Sequence, residues 1–99
     1  MFEIRVTTRF KKDIKLLKKR SNQDLNKLHS FIELLTKVGI IGIPKKYKPH
    51  TLVGNYKDTY ECHVGNDLLL LWIEYPYEQE NKYDGIITLV RTGSHSDLF

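Results

Sequence analysis

Residues Phe2 to Thr7 alternate apolar and polar side chains and favour strand-forming types, which predicts a short opening strand. Directly behind it, Phe10, Ile14 and Leu17 fall at i, i+4 and i+7, one stripe of an α-helix for which Thr8 is the expected cap. Lys11, Lys12, Lys15, Lys18 and Lys19 fill the other faces, so this helix is amphipathic and strongly basic. Ser21 followed by Asp24 resembles a capping box with the shorter acid. It opens a second helix that turns Leu25, Leu28, Phe31, Ile32 and Leu35 inward, with Gly39 as its expected stop. The short joint at Arg20 to Asn22 makes the pair an antiparallel hairpin, able to bury both apolar stripes on one sheet.

The period lapses between Ile40 and Asn55, where Gly42, Pro44, Pro49 and Gly54 punctuate a loop carrying Lys45, Lys46 and Lys48. Three strand-like runs follow, Lys57 to Val64, Leu68 to Tyr75 and Ile86 to Thr92. A tight Gly65-Asn66 turn and a polar loop from Pro76 to Gly85 separate them, as in an antiparallel meander. The tail from Gly93 has room for one helical turn and ends on the aromatic Phe99. The expected architecture is an α+β fold, β-α-α-β-β-β, with the helical hairpin packed on one face of a small antiparallel sheet and the other face partly open to a ligand. Residues 1–99 read as one domain, since a chain of this length sits near the lower common domain size.

Composition narrows the picture. A hydrophobic share of 40% suffices for a core without disulfides or metal. The lone Cys62 and the lack of a leader-like segment point to a reducing cytoplasm. The longest apolar run, Leu68 to Ile73, is about a third of the roughly 20 residues a bilayer helix requires, so no membrane partner is expected. Charge is segregated: residues 1–57 hold fourteen Lys/Arg against four Asp/Glu, and residues 58–99 hold two against eight. A basic half of this kind attracts polyanions, and nucleic acid or an acidic protein is the expected partner.

His50, His63 and His95 lie before, at the end of and after the meander strands, positions that short connections can bring together, whereas His29 sits mid-helix and reads as structural or solvated. Paired imidazoles suit RNA, whose 2′-hydroxyl is a built-in nucleophile needing one base and one acid near neutral pH. Asp67 can fix an imidazole's tautomer, or can be a plain turn residue. Arg91 or Lys57 can stabilise charge on phosphorus. For His63 and Asp67 to share a sheet face, the connection between them needs an odd count, as in a three-residue loop with a left-handed Asn66; a two-residue Gly65-Asn66 turn would separate them.

The segments "YKPHTLVGNYKDTYECHVGNDLLLLW" and "RTGSHSDLF" resemble the YafQ branch of the RelE superfamily of toxin-antitoxin ribonucleases, through the spacing of His50, Leu52, Gly54, Lys57, His63 and Asp67 and the R-x-G-[ST]-H-x-x-L-F ending. The resemblance covers about half the chain by motif and the helices by pattern. It implies a toxin that enters the ribosomal A site, cuts messenger RNA there without metal or cofactor, and is silenced by a cognate acidic antitoxin. It also implies an active site of His50, His63, Asp67 and His95, with Arg91 near the scissile phosphate and Phe99 against the substrate. The chain departs from that pattern at Tyr60, where relatives often carry an arginine, and in a longer, more acidic loop from Pro76 to Gly85. A phosphate contact is therefore either missing there or supplied by Lys57.

Two rivals stand beside this reading. The three histidines and Asp67 would suit zinc by ligand type, but adjacent Cys62 and His63 should point to opposite faces of a strand and so cannot chelate one ion together. A non-catalytic binding module or gyrase-directed toxin on the same scaffold would have no reason to cluster proton carriers.

Overall fold

The computed structural model describes residues 1–99, the Asn55 side chain aside. Its elements are β1 (Glu3–Val6), α1 (Thr8–Arg20), α2 (Asn22–Gly42), β2 (His50–Thr51), β3 (Tyr60–Gly65), β4 (Leu68–Pro76), β5 (Gly85–Gly93) and the one-turn α3 (His95–Leu98). The strands form one sheet in the order β1-β5-β4-β3-β2. The expected α+β arrangement is present, with a short additional strand, β2, and one difference in pairing. The sheet is antiparallel except at its edge, where β1 lies parallel to β5. A parallel pair needs a long crossover, and here the chain from α1 through β4 supplies it.

Both helix starts are capped by side chains. Thr7, one residue before the expected Thr8, caps α1: its hydroxyl oxygen accepts from the Phe10 N–H at 3.0 Å and donates to the Val90 carbonyl at 2.8 Å. The same hydroxyl therefore starts the helix and ties it to β5. Ser21 caps α2 through the Asp24 N–H at 3.1 Å, as its spacing indicates.

Gly39 bends α2 where the pattern predicts a stop. Its φ of +64° with ψ of −173° is a positive-φ backbone that glycine tolerates and that breaks the helical path, yet one further turn follows to Gly42. Glu74 explains the continuation: its carboxylate accepts from the Ile40 N–H at 3.0 Å and from the Trp72 indole at 3.2 Å, recapping the chain just beyond the bend. The loop expected from Ile40 to Asn55 is also more ordered than its composition indicates, holding 3₁₀ turns at Lys45–Tyr47 and Gly54–Tyr56 with β2 between them.

The main core lies between the helices and the sheet, where Phe10, Leu17, Leu28, Phe31 and Leu35 meet Cys62, Leu70, Trp72 and Ile87. A second, smaller cluster covers the opposite face: Leu69 and Leu71 pack beneath Leu98, flanked by Leu52, Tyr56 and Val90. Cover on both sides is why the Leu68–Trp72 stretch is apolar without alternation. Among the described residues, no helix is long and apolar enough to cross a membrane.

Gly39 is irreplaceable on two counts, since a Cβ there would meet the Phe2 ring at 2.8 Å in a conformation L side chains rarely adopt. Gly39→Ala is expected to lower stability by about 1–3 kcal/mol, read as a lower denaturant midpoint at unchanged m-value. An unchanged midpoint would show that the bend imposes no such demand.

Candidate active site

Strand geometry assembles the site on the sheet face opposite the helices. In β3, Glu61 and His63 are two residues apart and point together, while Cys62 points the other way into the main core. Burial, with Glu61 adding to it, pushes the Cys62 thiol up to about 12, so it is neither ligand nor nucleophile. β2 places His50 directly opposite Glu61. His95 enters from the far end of the chain as the first residue of α3, which Ser94 and Asp97 start with a reciprocal capping box.

The three imidazoles expected to meet do so. The His50 and His63 ring centroids are 6.2 Å apart and those of His63 and His95 are 5.6 Å apart. His29, by contrast, is exposed on α2 and pairs with Glu33 at 3.0 Å. Each end of the row of rings is held by a carboxylate. Asp67 Oδ1 lies 2.9 Å from His95 Nδ1 and also accepts from the His95 backbone N–H at 3.0 Å. Those bonds, the backbone one first, hold the Asp67 carboxyl below the usual carboxylate range.

Asp67 owes its position to the turn. Gly65 pairs with Leu68 and closes a two-residue Asn66-Asp67 connection, with a register shift between His63 and Gly65. The left-handed residue is therefore Asp67, at φ +55°, and not Asn66 as expected. The bulge resets the face that a plain two-residue turn would reverse, and His63 and Asp67 converge on the His95 ring.

At the other end stands a residue that the sequence reading passed over. The Glu61 side chain is only 5% exposed, with Oε1 3.0 Å from His50 Nε2 and 3.9 Å from His63 Nε2. Its second oxygen, Oε2, is buried without a donor among the described residues. The signal for Glu61 was its i, i+2 relation to His63, but an acid in a half-solvated strand reads as surface. His50 Nδ1 lies 2.7 Å from the Lys48 carbonyl. Both His50 nitrogens thus face oxygens, and both contacts are hydrogen bonds only when the imidazole carries two protons or Glu61 carries one.

The remaining expected contacts divide. Phe99 is 62% exposed and meets Tyr56 edge-on at 5.8 Å, a ring free to take a base on its open side. Lys57 is exposed just after the turn that carries Tyr56. Arg91 needs correction as a direct phosphate contact: its side chain is 11% exposed and grips Asp13 at 2.8 Å and 3.1 Å and the Tyr56 hydroxyl at 3.3 Å. The Asp13 bond and, after it, that from Tyr56 raise its pKa further, so the guanidinium is a permanent structural charge. Among the described residues, Tyr56 links it to Phe99 at the site. Among the described residues, no three His, Cys, Asp or Glu side chains are grouped to hold a metal ion.

The causes of the Asp67 shift make a sharp expectation. A depressed carboxyl contributes stability above the ordinary aspartate range and loses it only as pH falls through the lower, folded value. In a carboxyl-detected NMR titration, His95→Ala should move Asp67 part of the way back toward normal, because the backbone N–H stays in place. Complete normalisation would mean that the ring alone sets the shift.

Comparison with known proteins shows the family. The family described as the bacterial toxin of type II toxin-antitoxin systems, YafQ, matches residues 2–99. The mRNA interferase toxin YafQ of Escherichia coli K12 is 32% identical over 97 residues, spanning 98% of this chain and 95% of the relative. The crystal structure of YafQ from E. coli BL21(DE3) superposes with a TM-score of 0.79 at 29% identity, covering 100% of this chain and 99% of the other. YafQ in the E. coli DinJ-YafQ complex does so at 0.73 and 29%, with the same coverage. With a match along nearly its whole length, this chain belongs to the YafQ family of bacterial type II toxins.

Proposed function

We propose that the chain is a metal-independent endoribonuclease that cleaves messenger RNA in the ribosomal A site by proton transfer between histidines, and that a cognate acidic antitoxin restrains it. The observation that carries this reading is the meeting of His50, His63 and His95 from three separate segments, with rings 5.6–6.2 Å apart and a carboxylate behind each end of the row. The interferase name of the K12 relative and the DinJ-bound structure of another support the activity and the antitoxin. The basic first half of the chain suits both a ribosomal surface and an acidic partner.

The hydrogen bonds suggest a division of labour. His95 donates a hydrogen bond through Nδ1–H to Asp67, which leaves Nε2 to carry a second proton. Of the two candidates for the base, His50 has both nitrogens engaged, while His63 makes no contact with Glu61 closer than 3.9 Å. His63 is therefore the group to take the proton of the 2′-hydroxyl as that oxygen attacks phosphorus. His95 protonates the departing 5′-oxygen, leaving a 2′,3′-cyclic phosphate and a 5′-hydroxyl. His50, engaged at both nitrogens, positions Glu61 beside the His63 ring, Lys57 adds positive charge, and Phe99 supports the adjacent base.

An in vitro translation assay with mapped messenger cleavage tests this. His63→Ala and His95→Ala should each slow cutting by roughly 10²- to 10⁴-fold, with His50→Ala also strongly impaired, and ribosome co-sedimentation should be unchanged. Cutting should survive EDTA. Equal cleavage by all three variants would defeat the mechanism, and loss of wild-type cutting in EDTA would indicate a metal enzyme.

A further inference from the structure

Beside the rings lies a trough that the proton transfer does not use. A cavity of about 570 Å³ begins at His63 and Asp67 and is lined by Lys27, Lys46, Tyr47 and Lys48. A second, of about 400 Å³, continues along α2 past Gln23 and Ser30. Lys27, Tyr47 and Val64 line both cavities, so the two adjoin. Gln23, Lys27 and Ser30 fall at i, i+4 and i+7, one face of α2 turned toward it.

The lining is chemically one-sided. It holds three ammonium groups, and its one carboxylate, Asp67, is already taken by His95. The floor is firm: the Tyr47 ring stands edge-on to Phe31 at 5.0 Å, and the Lys46 ammonium lies 5.1 Å from the Tyr47 centroid. The 3₁₀ turn Lys45–Tyr47 is also coupled to the rings, because the carbonyl of Lys48, its left-handed closing residue, accepts from His50 Nδ1. A phosphate held on this turn is thereby placed relative to the reacting centre.

We propose that the trough binds the single-stranded RNA on one side of the scissile phosphate, with backbone phosphates on Lys46 and Lys27 and further hydrogen bonds from Gln23 and Ser30. This rests on the ribonuclease reading, and continuity with the histidine rings is what favours RNA over an acidic peptide. Lysines are point charges that read no base edges, so the trough supplies affinity and register and little sequence preference.

The test is the salt dependence of binding to a short fluorescent 2′-O-methyl RNA, which lacks the nucleophile and stays intact. For Lys27→Gln/Lys46→Gln, the slope of log K against log salt should fall by about 1.4 relative to wild type, at about 0.7 per lost phosphate contact, with affinity at low salt roughly tenfold weaker. Lys11→Gln/Lys15→Gln, outside the lining, should change the slope less. In messenger cleavage the trough variant should raise KM at unchanged kcat. An unchanged slope, or no binding by the wild type, overturns the trough. Weaker antitoxin binding with RNA binding intact assigns it to protein and overturns the RNA proposal. A wild type that binds the probe through these lysines but never cuts messenger would sink the ribonuclease reading and leave the trough standing.

Discussion

Strand β4 cannot be left uncovered on either side, and the remainder of the molecule is arranged around that constraint. Leu68 to Trp72 are essentially inaccessible, so apolar cover is required on both faces of the sheet. The helical hairpin covers one. Leu98 and Leu52 cover Leu69 and Leu71 on the other. Leu98 is three residues from His95 on the same helical turn, and Leu52 is two residues from His50. Hydrophobic burial, worth about 2 kcal/mol for each enclosed leucine, is therefore what brings the imidazoles to His63. The His95–Asp67 contact is exposed to solvent and screened by it, so it orients the ring without anchoring the helix.

The carboxylate beneath His50 and His63 has the opposite character. Glu61 is buried with one oxygen lacking a donor among the described residues, an arrangement that costs stability and that an apolar residue would avoid. Its partners are the imidazoles above it, His50 Nε2 at 3.0 Å and His63 Nε2 at 3.9 Å from the same oxygen. Asp67, in contrast, is solvated and doubly bonded to His95, and it fixes a tautomer. Two carboxylates, one buried and one solvated, thus stand behind opposite ends of the row of rings.

A third ion pair supports the site from behind. Asp13 on α1 receives the Arg91 guanidinium in two-pronged fashion and also the Thr92 N–H at 3.1 Å, next to the register shift in β5. Removing either partner would strand a buried charge. Through the Tyr56 hydroxyl, the same arginine steadies the ring against which Phe99 stands.

Periodicity alone was enough to place both helices, the last three strands and the twice-buried run from Leu68, because those patterns are local and repeat within a few residues. The spacing of His50, His63 and His95 around the meander also indicated a meeting point, since short connections leave strand ends few places to go. The partners at longer range needed the folded chain. Arg91 and Asp13 are 78 positions apart, and the parallel β1–β5 edge joins the two ends of the protein. Glu61 looked like a surface acid until β2 covered it, and the bend at Gly39 looked like an end until Glu74 arrived from another strand. A residue's type and period determine which way it prefers to face; what it meets there, and hence which charges are buried and which protons are shared, depends on segments that only tertiary packing brings together.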